Sequence, residues 1–339
     1  MPRRVASALL ATALLTVGLV GCSDDAGPAP QVTAPQVTAP QVTAPAPPTQ
    51  AVTPTPLAAA PTPQVPAGTA PDKAFAVGVR EMKLNRDGKR PLPVTVWYPA
   101  AGKAGAKPAR SADAAGGKFP VVMFSHGLSA RPADYATLLT RWAAAGFVVA
   151  APTFPHTSQG GDGNVLDVLN QPADVSYVLT QVLALDAKAG DPLRGRLATD
   201  RVAAAGHSAG GVTTIGLFTA NRDERLDAGV VFAGTALGVG TAFAGTAAPQ
   251  LFVHGEADEV VEYAAGKAAY DKVPWPKAML SLPKGDHGRA LLSDGVTLRV
   301  VSDTTVEFLR WSLYGDGAAK SRIPTDAARD DIATLDNRL

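Results

Sequence analysis

Residues Gly206-His207-Ser208-Ala209-Gly210 form a Gly-x-Ser-x-Gly pentapeptide, and Gly211 follows it. A serine hydroxyl is a weak nucleophile near neutral pH; it becomes reactive when a sharp strand-to-helix turn exposes it beside a general base. That base needs a carboxylate to hold its orientation. Downstream, the apolar run Gln250–His254 leads into Gly255-Glu256-Ala257-Asp258-Glu259. Asp258 has the Gly-x-x-Asp spacing of an acid just past a strand end, with Glu256 and Glu259 as competing carboxylates. His287, in Lys284-Gly285-Asp286-His287-Gly288, is the only histidine after Asp258 and so the candidate base. Asp286 is a poorer acid, because adjacent side chains rarely face one another. His207 and His254 precede the acid and are read as elbow filler and strand end.

Acyl chemistry at Ser208 would place negative charge on a carbonyl oxygen, which fixed backbone N–H groups can receive without reorganising. One donor is expected at Ala209, on the positive end of the helix that the elbow opens. The other is expected in Ser125-His126-Gly127-Leu128, after the run Val121–Phe124, with Leu128 as the candidate and His126 shaping the loop. No cofactor is required.

The elements that must position these groups are legible as short apolar runs alternating with amphipathic stretches. Phe75–Leu84 and Val94–Tyr98 read as strands around the turn Arg86-Asp87-Gly88-Lys89. Val121–Phe124, Phe147–Ala150, Arg201–Ala205, Ala228–Ala233, Gln250–His254 and Ala278–Leu282 read as further strands, Arg201–Ala205 mainly because the elbow follows it. Tyr135, Leu138, Leu139 and Trp142 share one helical face, as do Val175, Val178, Leu179, Val182 and Leu183; further helices are expected from Ala209 and around Glu262–Asp271. A last helix carries Val306, Leu309 and Leu313. This alternation predicts an α/β domain with a mostly parallel sheet and helices on both faces. Thr153–Pro172 and Thr235–Ala248 are expected as pocket walls, with Phe154 and His156 as candidate pocket residues. Both segments are too short for a large helical lid.

Composition narrows the function classes. Of 29 prolines, 13 fall between Ser23 and Pro71, where Gln-Val-Thr-Ala-Pro repeats three times, so this stretch should be an extended tether. Net charge is +1 with scattered Lys and Arg, so nucleic acid is not an expected partner. The lone cysteine, Cys22, leaves the folded part without disulfide or thiolate chemistry, and the five histidines show no metal-binding spacing, so no metal is expected. Arg3-Arg4 precede the apolar run Val5–Val20, which is short for a membrane span and fits a signal peptide. Leu19-Val20-Gly21-Cys22 resembles a bacterial lipobox, the alternative being an ordinary signal peptide with an incidental cysteine. The expected organisation is a signal peptide over 1–21, a lipidated Cys22 and linker over 22–71, a catalytic domain over 72–315 and a flexible tail over 316–339. The expected protein is exported and held at the membrane only by its lipid, or else secreted, and monomeric.

With Ser125-His126-Gly127-Leu128, Gly206–Gly210, Asp258 and His287 in this order, the chain resembles the α/β-hydrolase superfamily from about Phe75 to Tyr314. Val94-Thr95-Val96-Trp97-Tyr98-Pro99 leading into Phe124–Leu128 is similar to an esterase branch. That branch holds platelet-activating-factor acetylhydrolase-like, chlorophyllase-like and dienelactone-hydrolase-like proteins. The resemblance implies a serine esterase cleaving small or medium carboxylic esters, with Ser208, Asp258 and His287 as triad and Leu128 and Ala209 as oxyanion donors. A peptidase or amidase on the same fold, or a non-catalytic surface binding protein, are the rival readings. Ala209 replaces the methionine usual in bacterial cutinases, Gly234–Gly238 lacks their tryptophan, and a dienelactone hydrolase would carry cysteine at the elbow. The chain departs from those narrower groups at these positions.

Overall fold

Asp87 and Gly88 sit at φ 55° and 67°, values that aspartate and glycine tolerate best, and they reverse the chain within three residues. Strands β1 (Ala76–Arg86) and β2 (Arg90–Ala100) therefore pair as an antiparallel hairpin, in register from Ala76 opposite Ala100 to Arg86 opposite Arg90. The hairpin runs through the expected turn and is longer than the apolar runs alone suggest. A computed structural model describes residues 63, 65–66, 68–289, 293 and 295–339, all within the compact unit Leu57–Leu339. The expected signal peptide, Cys22 and almost all of the linker lie outside the described residues.

The remaining strands are β3 (Ala109–Arg110), β4 (Phe119–Ser125), β5 (Val148–Pro152), β6 (Leu197–His207), β7 (Ala228–Phe232), β8 (Gln250–Gly255), β9 (Lys277–Leu282) and β10 (Thr334–Arg338). They make one ten-stranded sheet in the order β10-β9-β8-β7-β6-β4-β5-β2-β1-β3. From β5 to β9 every neighbouring pair is parallel, while β2 meets β5 and β10 meets β9 antiparallel. Helices α1 (Ala136–Ala144), α2 (Gln171–Leu183), α3 (Ala209–Gly216), α4 (Tyr263–Lys272), α5 (Val296–Leu309) and α6 (Gly317–Ala327) cover it.

Alternation along the strands divides the core in two. Val122, Phe124, Val149, Ala203, Ala205, Val230 and Leu280 pack on one face with α1, α5 and α6. Val121, Met123, Val148, Val202, Ala204, Val231 and Met279 pack on the other with α2, α3 and α4. A period of two with both faces apolar is what a doubly covered parallel sheet requires. Trp142 of α1 is fully buried, and its indole N–H donates to Thr305 Oγ1 of α5 at 3.0 Å, so its polar handle is satisfied where its large apolar area is packed. The architecture is the α/β-hydrolase fold, a mostly parallel sheet clothed on both faces.

The segment after Tyr314, expected as a flexible tail, is instead folded onto the sheet. Asp316 caps α6 by accepting the Ala319 N–H at 3.0 Å, and Ala319, Ile323 and Ala327 bury one stripe of it. Arg322 reaches back to Glu307 of α5 at 2.6 Å. Beyond α6, β10 adds to the sheet edge, Thr334 opposite Ser281 and Arg338 opposite Lys277. Edge pairing by backbone atoms asks little of side chains, which is why so polar a segment can be a strand. At the other end of the described chain, Ala70 N–H donates to Asp316 at 3.3 Å, and Arg310 donates to the Pro71 carbonyl at 3.3 Å. This entry point lies at the amino ends of the parallel strands, beside Gly146, which precedes β5.

Candidate active site

The parallel strands end together, and the loops leaving β4, β6, β8 and β9 converge at their carboxyl rim. Ser208, between β6 and α3, has φ 57° and ψ −119°, a strained backbone for a residue with a Cβ. The turn closes only because its neighbours are small. A Cβ at Gly206 would strike the Gly210 carbonyl, and one at Gly210 would strike the Ser125 carbonyl of β4. Ser208 N–H is held by the Phe232 carbonyl at 2.9 Å. The hydroxyl therefore stands at a fixed point above the rim.

His287 and Asp258, 79 and 50 residues away in sequence from Ser208, meet it there. His287 Nε2 lies 2.8 Å from Ser208 Oγ, and Nδ1 lies 2.8 Å from Asp258 Oδ2. The carboxylate cannot donate, so Nδ1 carries the proton and Nε2 is free to accept from the serine. The other carboxylate oxygen, Oδ1, accepts from Val260 and Val261 N–H at 2.9 and 2.8 Å. His254 Nε2, which donates to the Val261 carbonyl at 2.9 Å, also stands 3.4 Å from Oδ2. Burial works to raise the Asp258 pKa, but the hydrogen bonds from His254, His287 and the two amides outweigh it and hold the carboxyl far below the usual range. Glu256 and Glu259 are exposed, so of the three carboxylates it is Asp258 that faces the imidazole. Asp286 is also exposed and accepts the Arg289 N–H at 2.9 Å.

The loop after β4 is organised around His126. Its Nδ1–H donates to the Gly127 carbonyl at 2.8 Å, and Nε2 accepts the Phe154 N–H at 3.0 Å. Burial lowers the His126 pKa to about 4, so the ring stays neutral and keeps both bonds. Gly127 N–H donates to Tyr135 Oη at 3.1 Å, and Ser129 N–H donates to the Thr157 carbonyl at 2.7 Å. Between them, Leu128 N–H has no acceptor among the described residues, and the same holds for Ala209 N–H in the first turn of α3. Two spare amides thus flank the serine turn.

A cleft of about 870 Å³ opens over Ser208 and His287. Its walls include Leu128, Ala130, Ala257, Val260 and Arg289, from the loops after β4, β8 and β9. The expected walls Thr153–Pro172 and Thr235–Ala248 do not contribute. Phe154 is fully buried and packs against His126, with ring centroids 5.0 Å apart, so it anchors the β5 loop and does not line the cleft. His156 pairs with Asp162 at 2.9 Å within its own loop and likewise stands outside. Sequence reasoning missed Val260, Arg289 and the polar role of Tyr135; the one available signal was a phenol on an otherwise apolar helix face. Among the described residues no cluster of histidine and carboxylate side chains is arranged to hold a metal ion.

The fold is that of the α/β-hydrolases, with the serine, histidine and aspartate together at its carboxyl rim. A model of the chlorophyllase family matches residues 105–252, less than half of the chain, which makes this stretch similar to chlorophyllases. The matched stretch contains the loop after β4 and the serine elbow, and stops before Asp258 and His287. No curated protein matches the chain.

Proposed function

We propose that the protein is a serine hydrolase that cleaves carboxylic esters through an acyl-enzyme. The observation that carries this reading is the continuous run Ser208 Oγ, His287, Asp258, each contact 2.8 Å, beside two spare amides. In the first step Oγ attacks the ester carbonyl while His287 Nε2 takes its proton, and Asp258 stabilises the resulting imidazolium. Leu128 and Ala209 N–H receive the oxyanion; one such donor is worth roughly 100- to 1,000-fold in kcat. The imidazolium then protonates the departing alkoxide, and a water activated by the same nitrogen releases the acid.

The match to chlorophyllases supports ester cleavage, and the open cleft with Leu128 and Val260 on its walls suits a small or medium ester with an apolar portion. The test is turnover of nitrophenyl esters by wild type and Ser208→Ala, with labelling by a fluorophosphonate. Wild type should label at Ser208, and the variant should lose at least about 10⁴-fold in kcat. A Ser208→Ala protein with near-native esterase activity ends the proposal; faster turnover of peptide anilides than of esters would redirect it to amides.

A further inference from the structure

His207, one residue before the serine, is nearly buried, and each of its ring nitrogens meets a different loop. Nε2 faces the backbone carbonyl of His287, and a carbonyl only accepts, so Nε2 carries the proton. Nδ1 is then an acceptor, and Tyr135 Oη, 2.8 Å away, must donate to it. Oη in turn accepts the Gly127 N–H at 3.1 Å. The polarity of the whole run is fixed: Gly127 N–H to Tyr135 Oη–H to His207 Nδ1, and His207 Nε2–H to the His287 carbonyl. Each ring nitrogen has one partner and the phenol oxygen has two, so no group in the run is left over.

The run joins three separate parts of the site. Gly127 is the residue before Leu128, His207 is the residue before Ser208, and the His287 carbonyl belongs to the base itself. We infer that Tyr135 and His207 are positioning residues, which tie the loop after β4 to the His287 loop through the elbow and so fix the imidazole relative to the amide of Leu128. This rests on the hydrolase reading. Neither ring meets the reacting atoms in the proposed chemistry; they act through what they hold. Burial supports a run of constant polarity, since it lowers the His207 pKa to about 4 and raises that of Tyr135 to about 12. The rings of His207 and His287 also pack against each other, with centroids 4.8 Å apart, so the imidazole has little room to shift without its neighbour.

The test compares full-length wild type with Tyr135→Phe, His207→Ala, His207→Gln and the double variant Tyr135→Phe/His207→Ala. Thermal melts establish that each is folded; kcat, KM and the fluorophosphonate labelling rate are then measured with nitrophenyl butyrate as substrate. Displacing a reacting group by a fraction of an ångström to an ångström costs tens- to a hundredfold, so Tyr135→Phe should lose about tenfold and His207→Ala about 100-fold in kcat with KM nearly unchanged. His207→Gln restores an N–H near the Nε2 position and should recover most of the loss. The double variant should be no worse than His207→Ala, because both changes cut one run. Unchanged kcat in folded Tyr135→Phe, a loss confined to KM, or losses that simply multiply in the double variant would each overturn the inference while a labelled wild type leaves the hydrolase reading standing. A wild type that takes no label overturns both.

Discussion

Asp167 and Asp174 face the Arg90 guanidinium, whereas Asp258 faces an imidazole. Arg90 donates from Nη1 and Nη2 to Asp167 at 2.8 and 2.9 Å, and from Nε and Nη2 to Asp174 at 2.9 and 2.5 Å. Arg86 adds a contact to Asp174 at 3.2 Å. The Asp174 and Asp258 side chains are both fully buried, and both accept several hydrogen bonds. Burial is therefore not what separates them. The hydrogen bond to Asp174, followed by that to Asp167, pushes the Arg90 pKa further up, so the guanidinium never releases a proton and the cluster can only staple β2 to α2. An imidazole carries its proton on one nitrogen and leaves the other open, and here the open one meets a serine. The same kind of carboxylate faces a fixed cation in one place and, in the other, a ring that can exchange a proton, according to the partner the fold delivers.

That contrast can be broken from either side. Asp258→Asn keeps the shape but removes the charge and favours the wrong tautomer, so kcat should fall about 10⁴-fold while the melt stays cooperative. Loss of less than tenfold would mean that Asp258 does not serve His287. Arg90→Ala should do the reverse. It leaves Asp167 without a cationic partner and Asp174 with Arg86 alone, which should cost about 3 kcal/mol in denaturant unfolding, with kcat of the folded fraction within about twofold of wild type. A stability change below about 1 kcal/mol would show that those carboxylates find water instead.

Acid sharpens the comparison, because a guanidinium is charged at every pH in question while an imidazole becomes charged as pH falls. The unfolded chain takes up protons at His126 and His207 near pH 6.5, while burial keeps the folded rings neutral until about pH 4. Between those values the unfolded state binds more protons, so falling pH weakens the fold. At pH 5 the two rings together should cost a few kcal/mol, on the order of 2 kcal/mol each. Unfolding free energies measured from pH 7 to 4.5 should show this fall, and His126→Asn should flatten it. A profile equally steep in the variant would sink the assignment.

The parallel core was legible because continuous apolar runs such as Val121–Phe124 have few other homes, and the elbow because its glycines answer a steric demand. The pairing of Asp258 with His287 could be framed by order and elimination, though only the fold brings them within 2.8 Å. The cleft walls were not legible. Phe154 looks like a pocket residue by type, yet its backbone N–H is spoken for by His126, so its ring goes inward. The last 24 residues misled for a different reason: α6 buries only a thin stripe of Ala319, Ile323 and Ala327, and β10 pairs through main-chain atoms, neither of which leaves much hydrophobic pattern.

Ahead of β1, Ala70 and Pro71 are stitched to Asp316 and Arg310 at the rim opposite the serine. Whatever pulls on the upstream chain is therefore borne by the foot of the sheet and carried into α5 and α6, not into the loops over the cleft.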